Sequence, residues 1–257
     1  MRLKDKVAII TGAADLEGIG AAIALRYAKE GAKLVIADLK DGGAVVAAVR
    51  NAGGEAEFVK ADVTNQEECD AMARLAAERF GSVDILVNNA AIYADLLERP
   101  FTEISTRQWN RVMEVNAGGP FHCLKAVFPY MRDRGGKVIN IASDTIMLGV
   151  PGLAHYVSSK GAIFAFTRCI AKELGEYNIT VNSLAPGYTK SGASKKVQSA
   201  STLCSEEEFD KFVSDMRCLK RAQFPEDLAG AAVFLASEDS AFITGQLIAV
   251  NGGMAFS

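Results

Sequence analysis

Residues 6–39 read KVAIITGAADLEGIGAAIALRYAKEGAKLVIADL, and this stretch decides the fold. Its first run, VAIIT, is continuously apolar and β-branched, as in a strand covered on both faces. A turn punctuated by Gly12, Gly18 and Gly20 follows, then apolar residues at helical spacing as far as Gly31, then a second apolar run closing at Asp38. Strand, helix and strand in that order make a βαβ unit. The alternation continues: residues 43–52 read as a helix, AEFVKA as a strand, QEECDAMARLAAERF as a helix and DILVNN as a strand. Two helical stretches follow, one around Trp109 and one from Phe121 to Met131. KVINIAS, a long helix over HYVSSKGAIFAFTRCIAKEL, the strand TVNSLAP, a helix started by Pro225 and the strand and turn GQLIAVNGG complete the chain. Strands alternating with helices predict an α/β fold: one doubly wound domain over residues 1–257, its sheet mostly parallel, about seven strands wide, with helices on both faces.

Composition agrees with a single large core and excludes several kinds of partner. Of 257 residues, 49% are hydrophobic, enough to fill the interior of one α/β domain. A net charge of -3 provides no basic surface for nucleic acid or for an anionic membrane. MRLKDK runs straight into VAIIT and no stretch approaches the length of a membrane span, so neither a leader nor an anchor is expected and the location expected is cytoplasmic. Five scattered cysteines without a C-x-x-C pair read as reduced thiols. Two histidines argue against an imidazole-built metal centre, and no metal is expected.

Between Gly187 and Gln223 the texture changes to Ser, Lys and small residues, with one short helix expected over SEEEFDKFVSDM, capped by Ser205 with Glu208 completing the box. This segment, about 187–223, reads as a lid beside the strand ends.

The residue types that carry chemistry fall at the loops following strands, where an open α/β sheet binds its ligands. Glycines 12, 18 and 20 follow a strand and open a helix, so backbone amides at a helix N-terminus can meet a pyrophosphate without Cβ interference. Asp38, with Leu39 beside it, ends the second strand, where a carboxylate accepts hydrogen bonds from an adenosine ribose. A 2'-phosphate would meet that carboxylate, and Glu17 near the turn, as like charges. NAD is therefore expected over NADP, with Arg26 and Lys40 moderating the preference. Tyr156 and Lys160 stand one helical turn apart, so an ammonium beside the phenol is expected to lower the phenol toward neutrality. Ser143 follows the KVINIA run, which brings its hydroxyl to a strand's C-terminal end. His155, about 100° around the helix from Tyr156, is assigned to packing or an interface.

These residues resemble the short-chain dehydrogenase/reductase family over nearly the whole chain, and the resemblance implies a Rossmann-type fold. Thr11-Gly12 with Gly18-Ile19-Gly20 is similar to its cofactor glycine motif, Asp62-Val63 to its adenine-contacting pair and Asn88-Asn89-Ala90 to its central-strand motif. Asn116, Ser143, Tyr156 and Lys160 match its catalytic tetrad in order. Pro186-Gly187 matches the turn after its sixth strand, with Thr189 and Ser191 toward the nicotinamide carboxamide and phosphate. The resemblance implies that Ser143 and Tyr156 hold a substrate oxygen, that Tyr156 exchanges its proton, that Lys160 grips the nicotinamide ribose, and that the Asn116 backbone carbonyl holds a water against Lys160. It also implies helix-packed dimers or tetramers.

Three departures matter. Five residues, Ala13 to Glu17, stand between Gly12 and Gly18 where the family has three; Ala91 replaces a glycine after the NNA motif; and Gly118-Gly119-Pro120 is expected to kink or break the helix at Asn116. Tyr93, Thr145, Met147, Val150 and Tyr188 flank the presumed cleft and make a mostly apolar lining. That lining suits a hydrophobic or aryl secondary alcohol or ketone. Sugars, polyols and 3-oxoacyl thioesters are the alternative substrates, and a cofactor-sensing module without turnover is the alternative from another class.

Overall fold

The computed structural model describes residues 1–256 apart from 94, 95, 97 and 200–204; Cys204 and part of the expected lid lie outside the described residues. The elements in chain order are β1 (Val7–Thr11), α1 (Ile19–Lys29), β2 (Lys33–Asp38), α2 (Gly43–Asn51), β3 (Glu55–Lys60), α3 (Gln66–Phe80), β4 (Ile85–Asn88) and α4 (Thr106–Met113). Then come a π-helical turn at Glu114–Gly118, α5 (Gly119–Met131), β5 (Gly136–Ile141), α6 (Thr145–Leu148), α7 (Ala154–Leu174), β6 (Ile179–Pro186), α8 (Gly192–Ser199), α9 (Glu206–Met216), α10 (Glu226–Ala236) and β7 (Leu247–Val250).

All seven strands are parallel, in the order β3-β2-β1-β4-β5-β6-β7. Their near-continuous burial follows from their β-branched, apolar sequences: β1, β4 and β6 are buried at every position. One core lies beneath α1, α2 and α10, built around Ile23, Tyr27, Val45 and Leu235. The other lies beneath α3, α5 and α7, built around Met72, Cys123, Val127 and Ala171. Each fully buried aliphatic side chain contributes roughly 1.5–3 kcal/mol relative to exposure. The fold is therefore the doubly wound, Rossmann-type α/β sheet that the alternating pattern predicts. The strand order reverses between β1 and β4, and the crevice at their C-terminal ends is the ligand edge of such a sheet.

Local chemistry sets the element ends. Asn65 caps α3 by accepting from the amides of Glu67 and Glu68, and Gly81 ends it in the left-handed region at φ 88°. Ser205 and Glu208 form the reciprocal box expected for α9. A second lid helix, α8, lacks an apolar period and was not legible in the sequence.

Around Asn116 the expected break does not occur. Pro120 has no N–H to donate and its ring would crowd the carbonyl one turn back. The backbone widens instead of breaking: the Gly119 amide reaches the Glu114 carbonyl in a π turn, and α5 continues from there.

Candidate active site

The glycine turn sits where β1 runs out of the sheet. Gly12 has φ +64°, and a Cβ there would stand 2.5 Å from Ala90 Cα, so the turn and the end of β4 approach as closely as backbones can. Gly20 meets the same limit, 2.7 Å from Asn89 Nδ2. Asn89 then ties the two strand ends together, donating to the carbonyls of Thr11 (3.0 Å) and Gly12 (2.7 Å), while the amides of Asn89 and Ala90 donate to the Thr11 hydroxyl at 3.1 Å each. Ile19 opens α1 behind Gly18, leaving that helix's first amides toward the crevice. This is a cradle that side chains would fill, and it fits a dinucleotide pyrophosphate.

At the end of β2, Asp38 accepts from the amides of Ala14 (2.9 Å) and Lys40 (3.0 Å), which fixes its carboxylate at the mouth of the turn; Leu39 is exposed beside it. Two charges expected to tune this site have partners of their own: Glu17 is ion-paired with Lys195 at 2.8 Å and Arg26 with Glu30 at 3.1 Å. Beyond β3, Asp62 accepts from the Thr64 amide and hydroxyl, and His122 Nδ1 lies 3.0 Å from the Val63 carbonyl oxygen. The two extra residues of the glycine turn fold into a tight bend in which the Glu17 amide donates to Asp15 Oδ1 and Gly18 to the Asp15 carbonyl.

Ser143, Tyr156 and Lys160 come together beyond β5. The Ser143 hydroxyl lies close enough to the Tyr156 phenol to favour its ionised form, and it accepts from the Thr145 amide (3.2 Å) and hydroxyl (3.0 Å). Lys160 Nζ lies 5.7 Å from the centroid of the Tyr156 ring and donates to the Ile141 carbonyl at 2.7 Å. The electrostatics differ from the simple expectation. Burial raises the Tyr156 phenol, with Tyr93 and Asp144 adding to it and only the nearby Ser143 hydroxyl opposing. Burial also pulls Lys160 down to about 7, so its charge is only partly present at neutral pH. Desolvation thus outweighs the neighbouring cation, because the ammonium lies against the ring and is itself buried.

Asn116 is fully buried and does not reach the phenol. Its amide donates to the Ile92 carbonyl (3.2 Å) and to Ser159 Oγ (3.0 Å), and its Oδ1 accepts from the Ile92 amide (2.7 Å). Ser159 in turn donates to the Tyr156 carbonyl at 2.7 Å, so Asn116 fastens the tyrosine's helix turn to the loop after β4. His155, about 100° around α7 from Tyr156, is buried, consistent with packing.

The Tyr93 ring is 5.1 Å from that of Tyr156, and burial pushes its phenol up to about 12. Leu96, Val112 and Leu153 pack with Tyr156, Tyr93 and Val150 as a separate apolar cluster, and Tyr188 stacks edge-on against Phe209 of α9. After β6, Pro186 and Gly187 turn against Asn251, Thr189 donates to the Gly187 carbonyl at 2.9 Å, and Ser191 and Ser194 cross-bond at the start of α8.

Sequence reasoning missed a polar layer behind these residues. Asn88, Asn140, Thr167 and Ser183 form a buried hydrogen-bonded chain through the sheet. Asp144, Asn251 and Arg217 are all at most 3% exposed. A signal was available for one of them: an aspartate directly after a buried strand and the serine is costly unless something receives it.

With this geometry established, comparison with known proteins identifies the lineage. A family model described as Enoyl-(Acyl carrier protein) reductase matches residues 12–255. The chain is 37% identical over 254 residues to a 3-oxoacyl-[acyl-carrier-protein] reductase of Staphylococcus epidermidis, covering 97% of this chain and 99% of that one. It is 40% identical over 259 residues to a galactitol 2-dehydrogenase of Agrobacterium fabrum, covering 98% of each. A solved structure from Sinorhizobium meliloti, assigned as a short-chain alcohol dehydrogenase, superposes with a TM-score of 0.88 at 31% identity, covering 98% of this chain and 97% of that one. A dinucleotide cradle at the strand-order reversal, a serine beside a buried tyrosine, and likeness along the full length have one common account: the chain belongs to the short-chain dehydrogenase/reductase family of nicotinamide-cofactor oxidoreductases.

Proposed function

We propose that this enzyme interconverts a secondary alcohol and a ketone with NAD as its cofactor. The observation that carries the reading is the convergence of Ser143, Tyr156 and Lys160 beyond β5, at the sheet edge that also holds the glycine turn and Asp38. Bound nicotinamide accepts or supplies the hydride. The chain does the rest. Ser143 and Tyr156 hold the substrate oxygen, and Tyr156 takes the alcohol proton or returns it to the ketone. Lys160 holds the nicotinamide ribose, and its charge next to the ring makes the phenol easier to ionise once polar groups share the pocket. Asn116 keeps this helix turn in place and opens the route by which the proton reaches solvent.

Gly12, Gly18, Ile19 and Gly20 receive the pyrophosphate, Asp38 and Leu39 the adenosine ribose, and Asp62, Val63, Asn89 and Ala90 the adenine and central part of the cofactor. Pro186, Gly187, Thr189 and Ser191 receive the nicotinamide end. The preference for NAD rests on the Asp38 carboxylate, which a 2'-phosphate would meet as a like charge. The segment 187–223 serves as the lid of this single domain, Tyr93, Thr145 and Tyr188 line the substrate, and we place the protein in the cytoplasm as a dimer or tetramer.

The apolar cluster around Tyr93 and Leu153 favours a hydrophobic or aryl substrate. A second reading, a polyol, sugar or 3-oxoacyl thioester, is favoured by the galactitol 2-dehydrogenase and 3-oxoacyl reductase among the relatives. Turnover of aryl, polyol and acyl-thioester substrates with NAD and NADP separates the readings. Tyr156→Phe should retain NADH binding and lose roughly a hundredfold to ten-thousandfold in turnover. Full activity in that variant would refute the mechanism.

A further inference from the structure

Four loops converge behind the substrate side of the cleft, and two charged side chains are buried among them. Asp144 follows Ser143 directly; its amide donates to the Pro186 carbonyl at 3.0 Å, and the Asn251 side chain, just beyond β7, favours the ionised form of its carboxylate. Arg217 closes α9 at the lid's C-terminal end. Its guanidinium donates to the Tyr188 carbonyl and, at 3.0 Å, to that of Arg221, while its Cδ packs against Gly252. Both side chains are 2% exposed. Each keeps one atom, Asp144 Oδ2 and Arg217 Nε, without a hydrogen-bond partner among the described residues. A buried charge without full compensation is expensive, so the pair is retained at a cost in stability.

We propose that Asp144 and Arg217 act together as positioning residues: they hold the turn carrying Tyr188 and Thr189, and the lid end, against the strand end that presents Ser143, and thereby set how tightly the substrate is held. This rests on the alcohol–ketone reading above. Arg217 is the physical link, because one side chain reaches both the 188 turn and the 221 loop. Asp144 supplies the counter-charge from the serine's own loop, and the two interact electrostatically. The other charges facing Arg217 are Arg221, Asp227 and Asp210. All three are already engaged: Arg221 grips Asp227 through two bonds of 2.6 and 2.7 Å. Asp210 pairs with Lys190. The phenols of Tyr93 and Tyr156 are the titratable groups facing Asp144 from the cleft. Burial lifts Asp144 to about 6, so its charge is lost in mildly acidic solution.

The test uses the full-length chain, NADH, and the best substrate pair found in the alcohol–ketone panel. Arg217→Met should raise KM about tenfold, the effect of losing hydrogen bonds from a charged group, with kcat changed much less and NADH affinity unchanged. Arg217→Lys should recover part of the loss. Asp144→Asn should move KM the same way, and the double variant should be no worse than Arg217→Met alone, since the two act as one unit. In the wild type KM should rise as pH falls from 7.5 to 5.5, and Asp144→Asn should abolish that slope. Hydrogen exchange of the amides at 187–190, which requires no turnover, should quicken in both variants. Losses that multiply, a loss confined to kcat, or unchanged exchange at 187–190 would each overturn the proposal. Absence of wild-type turnover across the whole panel would instead overturn the functional reading, and exchange would still judge the positioning role.

Discussion

The glycine turn and the segment proposed as a lid meet where Lys195 pairs with Glu17, and they are built by opposite means. At the turn, contacts are made by what is missing: no Cβ at Gly12 or Gly20, so that backbones of β1, α1 and β4 touch and a few short hydrogen bonds from Asn89 and Thr11 complete the join. At the lid end, contacts are made by long charged side chains that span separate elements: Lys190 to Asp210, Lys195 to Glu17, and Arg217 to the Tyr188 carbonyl. Close packing has almost no tolerance and does not titrate. Charge contacts tolerate displacement, respond to pH and salt, and change partner with single substitutions. Under the proposed roles the cofactor side is thereby fixed and the substrate side adjustable, a division that suits one family serving many substrates.

The most severe way to break this contrast is at the turn. Gly12→Val places a β-branched side chain in the left-handed region and onto Ala90, so NADH binding should be abolished and the melting temperature should fall by several degrees; Gly12→Ala should show the same defects more mildly. A valine variant that binds NADH normally would show that the turn is not the cradle.

Next in size is the buried lysine. Its folded-state pKa of about 7 lies below the ordinary value near 10.4, so the unfolded chain holds the proton more tightly. The penalty is complete below pH 7 and is relieved as pH rises toward 10. Stability should therefore increase between pH 7 and 9.5 by up to about 3 kcal/mol, and Lys160→Met should be flat over that range, more stable at pH 7 and inactive. Denaturant titrations at several pH values measure it, and a slope surviving in the variant would assign it elsewhere.

The smallest effect belongs to the lid. Ser205→Ala removes the hydroxyl half of the capping box on α9, leaving only the bond from the residue-205 amide to Glu208, so local opening of that helix should become about fivefold easier by hydrogen exchange with the sheet amides unaffected. Equal effects in the sheet would mean that the lid is continuous with the core rather than an adjustable part.

Legibility in the sequence divides along the same line. Strands, most helices and the glycine turn are written in local terms: apolar runs, helical spacing, Asn65 and Ser205 as caps, Gly81 as a stop. The chain's Tyr156 and Lys160 share a helix face by spacing alone. Their protonation does not follow from spacing, because it depends on burial: the ammonium that was expected to lower the phenol is itself desolvated against the ring. Likewise Gly118-Gly119-Pro120 signals trouble for a helix, yet whether the backbone breaks or widens depends on α3 and α7 packing around it.

What the chain order determined by itself is the doubly wound sheet and the loops at which ligand-binding residues emerge, since periodicity and glycine placement act over a few neighbours. Only the tertiary structure decided which charges are spent and which are held in reserve. Glu17 meets Lys195, Arg217 meets the Tyr188 turn, and Asp144 is sealed beside Ser143 through contacts between residues far apart in the chain. Electrostatic energies depend on distance and desolvation in space, and neither is carried by the order of residues.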